Sequence, residues 1–192
     1  MLEIWEIYEK FCEVKKMNFY FKSDILNFSN KSNLLQIKKD NILHLLGLDH
    51  IKKIYNETNN KLLDNNAILK LIKKKQITNS WIEKLSWNNR SPEIKKKAKY
   101  ILNKIEFWNF FILDLEFNLS KNPNFEFHKN DFLKDNKINY YFKFTKNTEK
   151  YFFVLGCVGI LRNEYSYNLF IPVTVQKKSK RDYLIEKKIR SF

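Results

Sequence analysis

The sequence contains few of the residues that form the best-known functional motifs. Its 192 residues include three glycines, three prolines, two cysteines and three histidines. The glycines, Gly47, Gly156 and Gly159, are too scattered for a glycine-rich loop that binds phosphate. Because Cys12 and Cys157 do not form a CxxC pair, neither a zinc site nor a redox motif is expected. The sequence therefore predicts no metal and no cofactor.

Apolar runs are short throughout the sequence. None approaches the length of a membrane-spanning helix. The N-terminal segment MLEIWEIYEK has early acidic residues, whereas a signal peptide has a basic and then an apolar segment. Together with the widely separated cysteines, these features favour a protein of the reducing cytoplasm that has no membrane partner.

Acidic residues are few relative to basic ones. Lysine and arginine number 36 against 21 aspartates and glutamates, which gives a formal net charge of +15. An excess of this size usually indicates a polyanionic partner, most often nucleic acid. However, lysine outnumbers arginine 32 to 4 and 24 residues are asparagine, and a strongly AT-rich genome would inflate both lysine and asparagine. We therefore attribute part of the charge to codon usage and predict a nucleic acid as the partner.

The spacing of apolar residues predicts that the first part of the chain is helical. Helices are expected within residues 1–16, 40–46, 64–74 and 78–87, and most clearly from Ser91 to about residue 115. Ser91 as N-cap, Pro92 at the first helical position and Glu93 in the first turn mark the start of this long helix. Its expected core stripe includes Ile94, Ile101, Ile105 and Trp108.

The last third of the chain consists of short aromatic and β-branched segments. In INYYFKFT, residues 138–145, apolar side chains alternate with Asn139, Tyr141 and Lys143, as expected for a strand with one wet face. NFYFKSDILNF and NLLQI, earlier in the chain, are further candidate strands. The predicted fold class is α+β. A helical N-terminal two thirds, residues 1–120, packs on a C-terminal antiparallel sheet of about four strands, residues 121–192, in a single domain of residues 1–192.

Several short motifs occur in a distinctive order along the chain. HLLGL, residues 44–48, is followed by KQIT, the long helix, KINYYFKF, YFFVLG, NLFIP and the basic segment RDYLIEKKI. From Phe19 to Ile189 this order resembles the phage-associated branch of the barnase–EndoU–colicin–RelE-like nuclease superfamily, with HLLGL as the most specific piece. The resemblance implies a small α+β domain of a phage, plasmid or toxin system. Such a domain cleaves RNA without a metal, by attack of a ribose 2′-OH on the adjacent phosphate.

The resemblance also implies a catalytic site, which needs a proton acceptor, a proton donor and positive charge at the phosphorane. His44 matches the family's histidine and is expected to act as base or acid. Lys137 matches a lysine that precedes the central strand motif and is expected at the phosphate. Tyr140 matches an aromatic residue of the same motif. The sequence departs from the family at Asn139, where the family often has Asp, and at residues 167–168, where Tyr-Asn replaces Arg-Ser.

Each histidine also has an alternative, structural interpretation. His44 lies within an apolar run, so it could equally be an interior side chain of a short helix. His50 is expected at the surface after that helix ends. His128 is expected at the exposed end of a strand.

A basic segment near the C-terminus is the expected nucleic-acid contact. It consists of Lys177, Lys178, Lys180, Arg181, Tyr183 and Arg190. By contrast, three consecutive lysines at positions 95–97 span about 200° of helical arc, so they are not expected to face one groove and are assigned to a solvated face. Candidates for stacking on unpaired bases, if they face water, are Tyr141, Tyr165 and Tyr167.

Functions from different classes remain open. The first is an RNA-binding, nuclease-like protein of a phage or mobile element, including an endoribonuclease toxin. The alternative is a non-catalytic mobile-element protein that binds and inhibits a host ribonucleoprotein, for example an anti-CRISPR-type inhibitor of an RNA-guided nuclease. The missing Arg-Ser pair favours this alternative. A structural phage protein is a third option. The first two functions predict RNA or a ribonucleoprotein complex as the partner.

Overall fold

The computed structural model describes residues 1–13, 16–21, 23, 26, 31–89, 91–114, 125–131, 133, 137–145, 151–161, 164 and 166–179. These residues form six α-helices and six β-strands. The chain divides into two compact units. Unit 1 comprises Met1–Lys15 and Lys39–Leu113, and unit 2 comprises Lys16–Lys38 and Asp114–Phe192.

Unit 1 is helical. Its helices are α1 (Ile4–Glu13), α2 (Lys39–Leu46), α3 (Leu48–Asn59), α4 (Asn65–Lys73), α5 (Asn79–Asn88) and α6 (Pro92–Asp114). The side-chain oxygens of Asp64, Thr78 and Ser91 cap α4, α5 and α6, because each accepts a hydrogen bond from the amide three residues later, at 2.7, 3.2 and 3.4 Å. The expected N-cap of the long helix, Ser91, is therefore confirmed. Within the described part of the chain, no helix combines the length and apolar character needed to cross a membrane.

One face of α6 forms much of the core of unit 1. The predicted stripe is confirmed, since Ile94, Ile101, Ile105 and Trp108 are all buried. The indole Nε1–H of Trp108 also donates a hydrogen bond to the backbone oxygen of Leu45 in α2, at 3.4 Å. Burial and this polar contact together make Trp108 the anchor between α6 and α2.

Unit 2 is built on a six-stranded mixed sheet. Its strands are β1 (Lys16–Phe21), β2 (Ser32–Lys38), β3 (Phe125–Lys129), β4 (Tyr140–Thr145), β5 (Tyr151–Ile160) and β6 (Tyr167–Ser179). Their order across the sheet is β1-β2-β6-β5-β4-β3. The β2–β6 pair is parallel and the other four neighbouring pairs are antiparallel.

The sheet of unit 2 is strongly curled. Phe21 on the edge strand β1 and Phe127 on the opposite edge strand β3 have ring centroids only 4.9 Å apart. Phe142 and Phe170 from strands between these edges also contact Phe21, at 4.9 and 5.3 Å. Aromatic packing on the concave face therefore joins strands that are far apart in the sheet.

The predicted arrangement of the fold is wrong. The sheet has six strands instead of about four, it is mixed instead of antiparallel, and two of its strands lie within residues 16–38. The helices and strands are therefore interleaved along the chain. Local alternation of apolar side chains indicated strands within residues 16–38. The pairing of β2 with β6, whose paired residues are 135 positions apart, could not be recognised from the sequence near either strand. The single domain of residues 1–192 stays a prediction.

Two tryptophans provide a matched test of the core. Trp108→Ala should lower the free energy of unfolding by about 3–5 kcal/mol, because Trp108 is fully buried. Trp87→Ala should change it by less than about 0.5 kcal/mol, because Trp87 is 71% exposed. Urea unfolding of both variants measures the difference, and equal effects would contradict this description of α6.

Candidate functional site

Charged and aromatic side chains meet on one face of the sheet in unit 2. Glu126 and His128 are two apart on β3, so their side chains lie on the same face. Opposite them on β4, Lys143 pairs with Glu126 and Tyr141 pairs with His128. We call these four residues the sheet cluster. Directly opposed strand residues are close enough for their side chains to interact.

The carboxylate of Glu126 is the centre of the sheet cluster. Lys143 Nζ donates hydrogen bonds to Glu126 Oε1 and Oε2 at 3.1 and 3.0 Å. His128 Nε2 lies 2.9 Å from Oε2. Partial burial by itself raises the pKa of Glu126, but the hydrogen bonds from Lys143 and His128 outweigh burial and lower this pKa below its usual value. The carboxylate is therefore ionised at neutral pH.

The imidazole of His128 is held in one orientation. Its ring stacks on Tyr141 with centroids 4.9 Å apart and an interplanar angle of 19°. Tyr141 is fully buried and its hydroxyl donates to Asp131 Oδ1 at 3.3 Å. Since an ionised Glu126 only accepts hydrogen bonds, His128 Nε2 carries a proton in this contact, and in the neutral imidazole Nδ1 is then the acceptor nitrogen.

Three of the four side chains of the sheet cluster are partly exposed to solvent. The side chains of Glu126, His128 and Lys143 are 45%, 30% and 19% exposed. A proton acceptor, an orienting carboxylate and an ammonium group thus meet at a surface that a substrate can reach. This combination can move a proton and stabilise negative charge.

A second group of polar side chains surrounds the junction of α2 and α3 in unit 1. We call His44, Asp49, His50 and Lys104 the junction cluster. Lys104 is 3% exposed and its Nζ donates to the backbone oxygen of His44 at 3.1 Å. Burial lowers the pKa of Lys104 to about 8, against an opposing effect of Asp49. The pKa of His50 is also lowered, mainly by burial and to a smaller extent by the positive charges of Lys104 and Lys97.

Gly47 makes the α2–α3 junction possible. Its φ of +83° lies in the left-handed region, where a Cβ is unfavourable. A Cβ built at this position would lie 3.4 Å from Lys104 Cδ, within van der Waals contact. The glycine of HLLGL therefore lets the two helices turn directly above Lys104.

A basic groove runs beside α6 in unit 1. We call it the α6 groove, and its volume is about 830 Å³. Its lining includes His50, Lys95, Lys96, Lys97, Lys99 and Tyr100. The expectation that the three lysines at positions 95–97 cannot share one groove is wrong. Lysine stems are long and flexible, so residues on both sides of the helical arc border the same space.

The catalytic residues that the sequence suggested belong to different units of the chain. His44 lies in unit 1 with its side chain 66% exposed, so the interpretation as an interior residue is wrong. Its Nδ1 is 3.8 Å from Asp49 Oδ2, too far for a hydrogen bond. Lys137 is exposed in unit 2, just before β4. Tyr140 is 8% exposed and stacks on Phe127, on the face opposite the sheet cluster. The catalytic roles of these three residues stay predictions.

The predicted nucleic-acid segment is only partly described. Lys177 and Lys178 lie on β6, and Lys177 Nζ is 3.6 Å from the ring centroid of Tyr151. Four further members lie outside the described residues, namely Lys180, Arg181, Tyr183 and Arg190. Of the proposed stacking tyrosines, Tyr165 also lies outside them, Tyr167 is half-buried, and Tyr141 is fully buried and cannot stack on a base.

The sequence interpretation missed the sheet cluster. His128 was expected only as an exposed strand end, and Glu126 and Lys143 were not singled out. The alternation in FEFH does place Glu126 and His128 on one face. Lys143 joins them only through the pairing register of β3 and β4. Lys143 and Glu126 are 17 positions apart, so this register cannot be derived from local sequence.

Comparison with family models, with curated proteins and with solved structures gave no match for this chain. Among the described residues, no group of three or more His, Cys, Asp and Glu side chains could hold a metal ion. Interpretation of the two clusters and of the groove therefore depends on their own geometry.

Lys104 should give the stability of the protein a specific pH dependence. Its pKa is about 8 when folded and near the ordinary 10.5 when unfolded, so between these values the unfolded chain binds more protons. The free energy of unfolding should therefore rise with pH across this window, by roughly 3 kcal/mol for this residue. In Lys104→Met this contribution should be absent.

Urea unfolding of the wild type, of Lys104→Met and of the exposed control Lys61→Met, from pH 7 to about 10.5, measures this effect. The control should follow the wild type. If the difference in the free energy of unfolding between the wild type and Lys104→Met stays constant with pH, the lowered pKa of Lys104 is contradicted.

Proposed function

We propose that the protein is an endoribonuclease whose active site is the sheet cluster and whose reaction needs no metal. The observation that carries the proposal is the contact of one ionised carboxylate with both an imidazole and an ammonium group, all three partly exposed, at the edge of the sheet. The junction cluster is a weaker candidate for this chemistry, because its His44–Asp49 distance of 3.8 Å is too long to orient the imidazole.

Each residue of the sheet cluster has a distinct role in the proposed reaction. Glu126 orients His128 and fixes the tautomer in which Nδ1 accepts a proton. Nδ1 takes the proton of the ribose 2′-OH, and the 2′ oxygen forms a bond to phosphorus. The bond from phosphorus to the 5′ oxygen breaks, and that oxygen takes a proton from water. Lys143 stabilises the negative charge of the phosphorane, and the products are a 2′,3′-cyclic phosphate and a 5′-hydroxyl.

RNA is the proposed substrate for two reasons. The mechanism requires a 2′-OH, which DNA lacks, and the net charge of +15 attracts a polyanion. The resemblance to phage-associated nucleases extends the proposal to a toxin-like protein that acts on RNA or a ribonucleoprotein in the cytoplasm.

Three substitutions test the proposed site. His128→Ala should reduce cleavage of single-stranded RNA by about 10²- to 10⁴-fold, because the proton acceptor is lost. Glu126→Gln and Lys143→Met should also reduce it, through loss of orientation and of charge stabilisation. Activity is measured in EDTA with a labelled oligonucleotide, and the products are analysed for 2′,3′-cyclic phosphate ends.

Matched controls lie outside the sheet cluster. His44→Ala, Glu83→Gln and Lys129→Met should retain wild-type cleavage, and melting temperatures should show that all six variants are folded. Loss of activity in His44→Ala with activity retained in His128→Ala would move the active site to the junction cluster. A wild type that binds RNA but leaves it intact would exclude the endoribonuclease proposal.

A second candidate function is a binding protein that does not cleave RNA and inhibits a host ribonucleoprotein. Two residues that depart from the nuclease family, Asn139 and Asn168, make hydrogen bonds within the fold. This structural use of the two positions favours a protein that does not cleave RNA. Asn139 Oδ1 accepts a hydrogen bond from the Gly159 amide at 2.7 Å. Asn168 Nδ2 donates to Asn33 Oδ1 at 2.9 Å in the interior. Binding without cleavage in the preceding experiment is the result that supports it.

A further inference from the structure

The α6 groove carries positive charge that the fold itself leaves accessible. Among the described residues, no carboxylate forms an ion pair with Lys95, Lys96 or Lys99. The acidic side chain in the lining, Glu93, is 2.6 Å from Lys97 Nζ and 3.4 Å from Lys53 Nζ. Since these ion pairs offset its charge, the groove is net positive.

An exposed indole lies next to the groove. Trp87 on α5 is 71% exposed, which is unusual for the largest apolar side chain. Lys99 Nζ, from the groove lining, is 5.2 Å from the centroid of its ring. Within the groove, Tyr100 adds a second aromatic ring, which meets His50 edge-on at 5.1 Å. Lysines and aromatic rings are therefore close neighbours at the surface of unit 1.

This combination distinguishes single-stranded nucleic acid from other anions. Lysines that follow a groove neutralise successive phosphates, and an exposed aromatic ring stacks on a base only when that base is unpaired. A volume of about 830 Å³ lies within the usual range of ligand sites, about 300–1,000 Å³. A duplex would contact the lysines but would leave the indole of Trp87 without a base.

We propose that the α6 groove and Trp87 bind a single-stranded segment of RNA. The phosphates contact Lys95, Lys96 and Lys99, and one base stacks on Trp87. This binding surface deepens the proposed function, because it rests on RNA as the ligand, but it is separate from the residues proposed for cleavage.

Charge neutralisation tests the phosphate contacts. The probe is a short fluorescent 2′-O-methyl oligouridine, which lacks the attacking hydroxyl and is not cleaved. The triple variant Lys95→Gln, Lys96→Gln, Lys99→Gln should bind it on the order of tenfold more weakly at low salt. The slope of log affinity against log salt should become shallower by about 2, that is about 0.7 for each lost phosphate contact.

A second triple variant removes the same charge elsewhere in unit 1. Lys61→Gln, Lys70→Gln, Lys84→Gln changes three exposed lysines that do not line the groove, and its salt slope should remain close to that of the wild type. Equal loss of affinity and slope in the two triple variants would overturn the groove as the binding site.

Trp87→Ala tests the stacking contact. It should weaken oligouridine binding on the order of tenfold and leave binding of a duplex of matched length unchanged. Tyr20→Ala, which removes an exposed aromatic residue of unit 2, should retain wild-type affinity. Unchanged oligouridine binding by Trp87→Ala would overturn the single-strand assignment.

Cross-linking of the unmodified wild type provides a measurement that does not depend on the folding of any variant. An oligouridine containing 4-thiouridine should cross-link to the peptides that carry Trp87 and Tyr100, and cross-links confined to other peptides would overturn the proposal. Failure of the groove is distinguishable from failure of the active site. If the wild type cleaves RNA but the two triple variants bind the oligouridine equally well, only the groove proposal is overturned. If binding depends on the groove lysines but the wild type does not cleave RNA, only the nuclease proposal is overturned.

Discussion

The parallel pairing of β2 with β6 is the constraint on which the sheet of unit 2 depends. It joins residues 32–35 to residues 167–170, and a hydrogen bond of 2.9 Å between the side chains of Asn168 and Asn33 lies inside it. The two asparagines are only 5% and 6% exposed. A register shift of one residue would break this buried bond, at a cost of about 1–3 kcal/mol for each unsatisfied group. Without this pairing, the β1–β2 hairpin would be separate from the four strands β6-β5-β4-β3.

Curling of this sheet gives its two faces different chemistry. On the concave face, Phe21 and Phe127 bring the edge strands together, and Tyr140 stacks on Phe127. The alternation of strand side chains then puts the neighbouring residues of β3 and β4 on the other face. Glu126 and His128 are therefore displayed at an edge of the sheet, on strands whose opposite side is fixed by aromatic packing. Rigid support of this kind is what a catalytic or binding group needs to hold its orientation.

Local signals explain which parts of the protein could be predicted from sequence. The capping residue Ser91 and the apolar stripe ending at Trp108 identify α6, because both signals lie within the helix itself. Alternation likewise identifies β4. The sheet topology and the sheet cluster could not be predicted, because each depends on register between distant segments. Lys143 meets Glu126 only once β3 and β4 are paired.

The net charge of +15 does not show where a polyanion would bind, because several lysines contact groups of the protein itself. Lys75 Nζ lies 4.1 Å from the ring centroid of Trp5, and Lys177 Nζ lies 3.6 Å from that of Tyr151. Lys97 is held by Glu93 at 2.6 Å. These contacts orient lysines within the fold, so the total count is a poor guide to a binding surface. Within the described residues, the α6 groove differs because Lys95, Lys96 and Lys99 line one space and Lys99 approaches an exposed indole. The arrangement of the lysines, and not their number, therefore gives the charge its specificity.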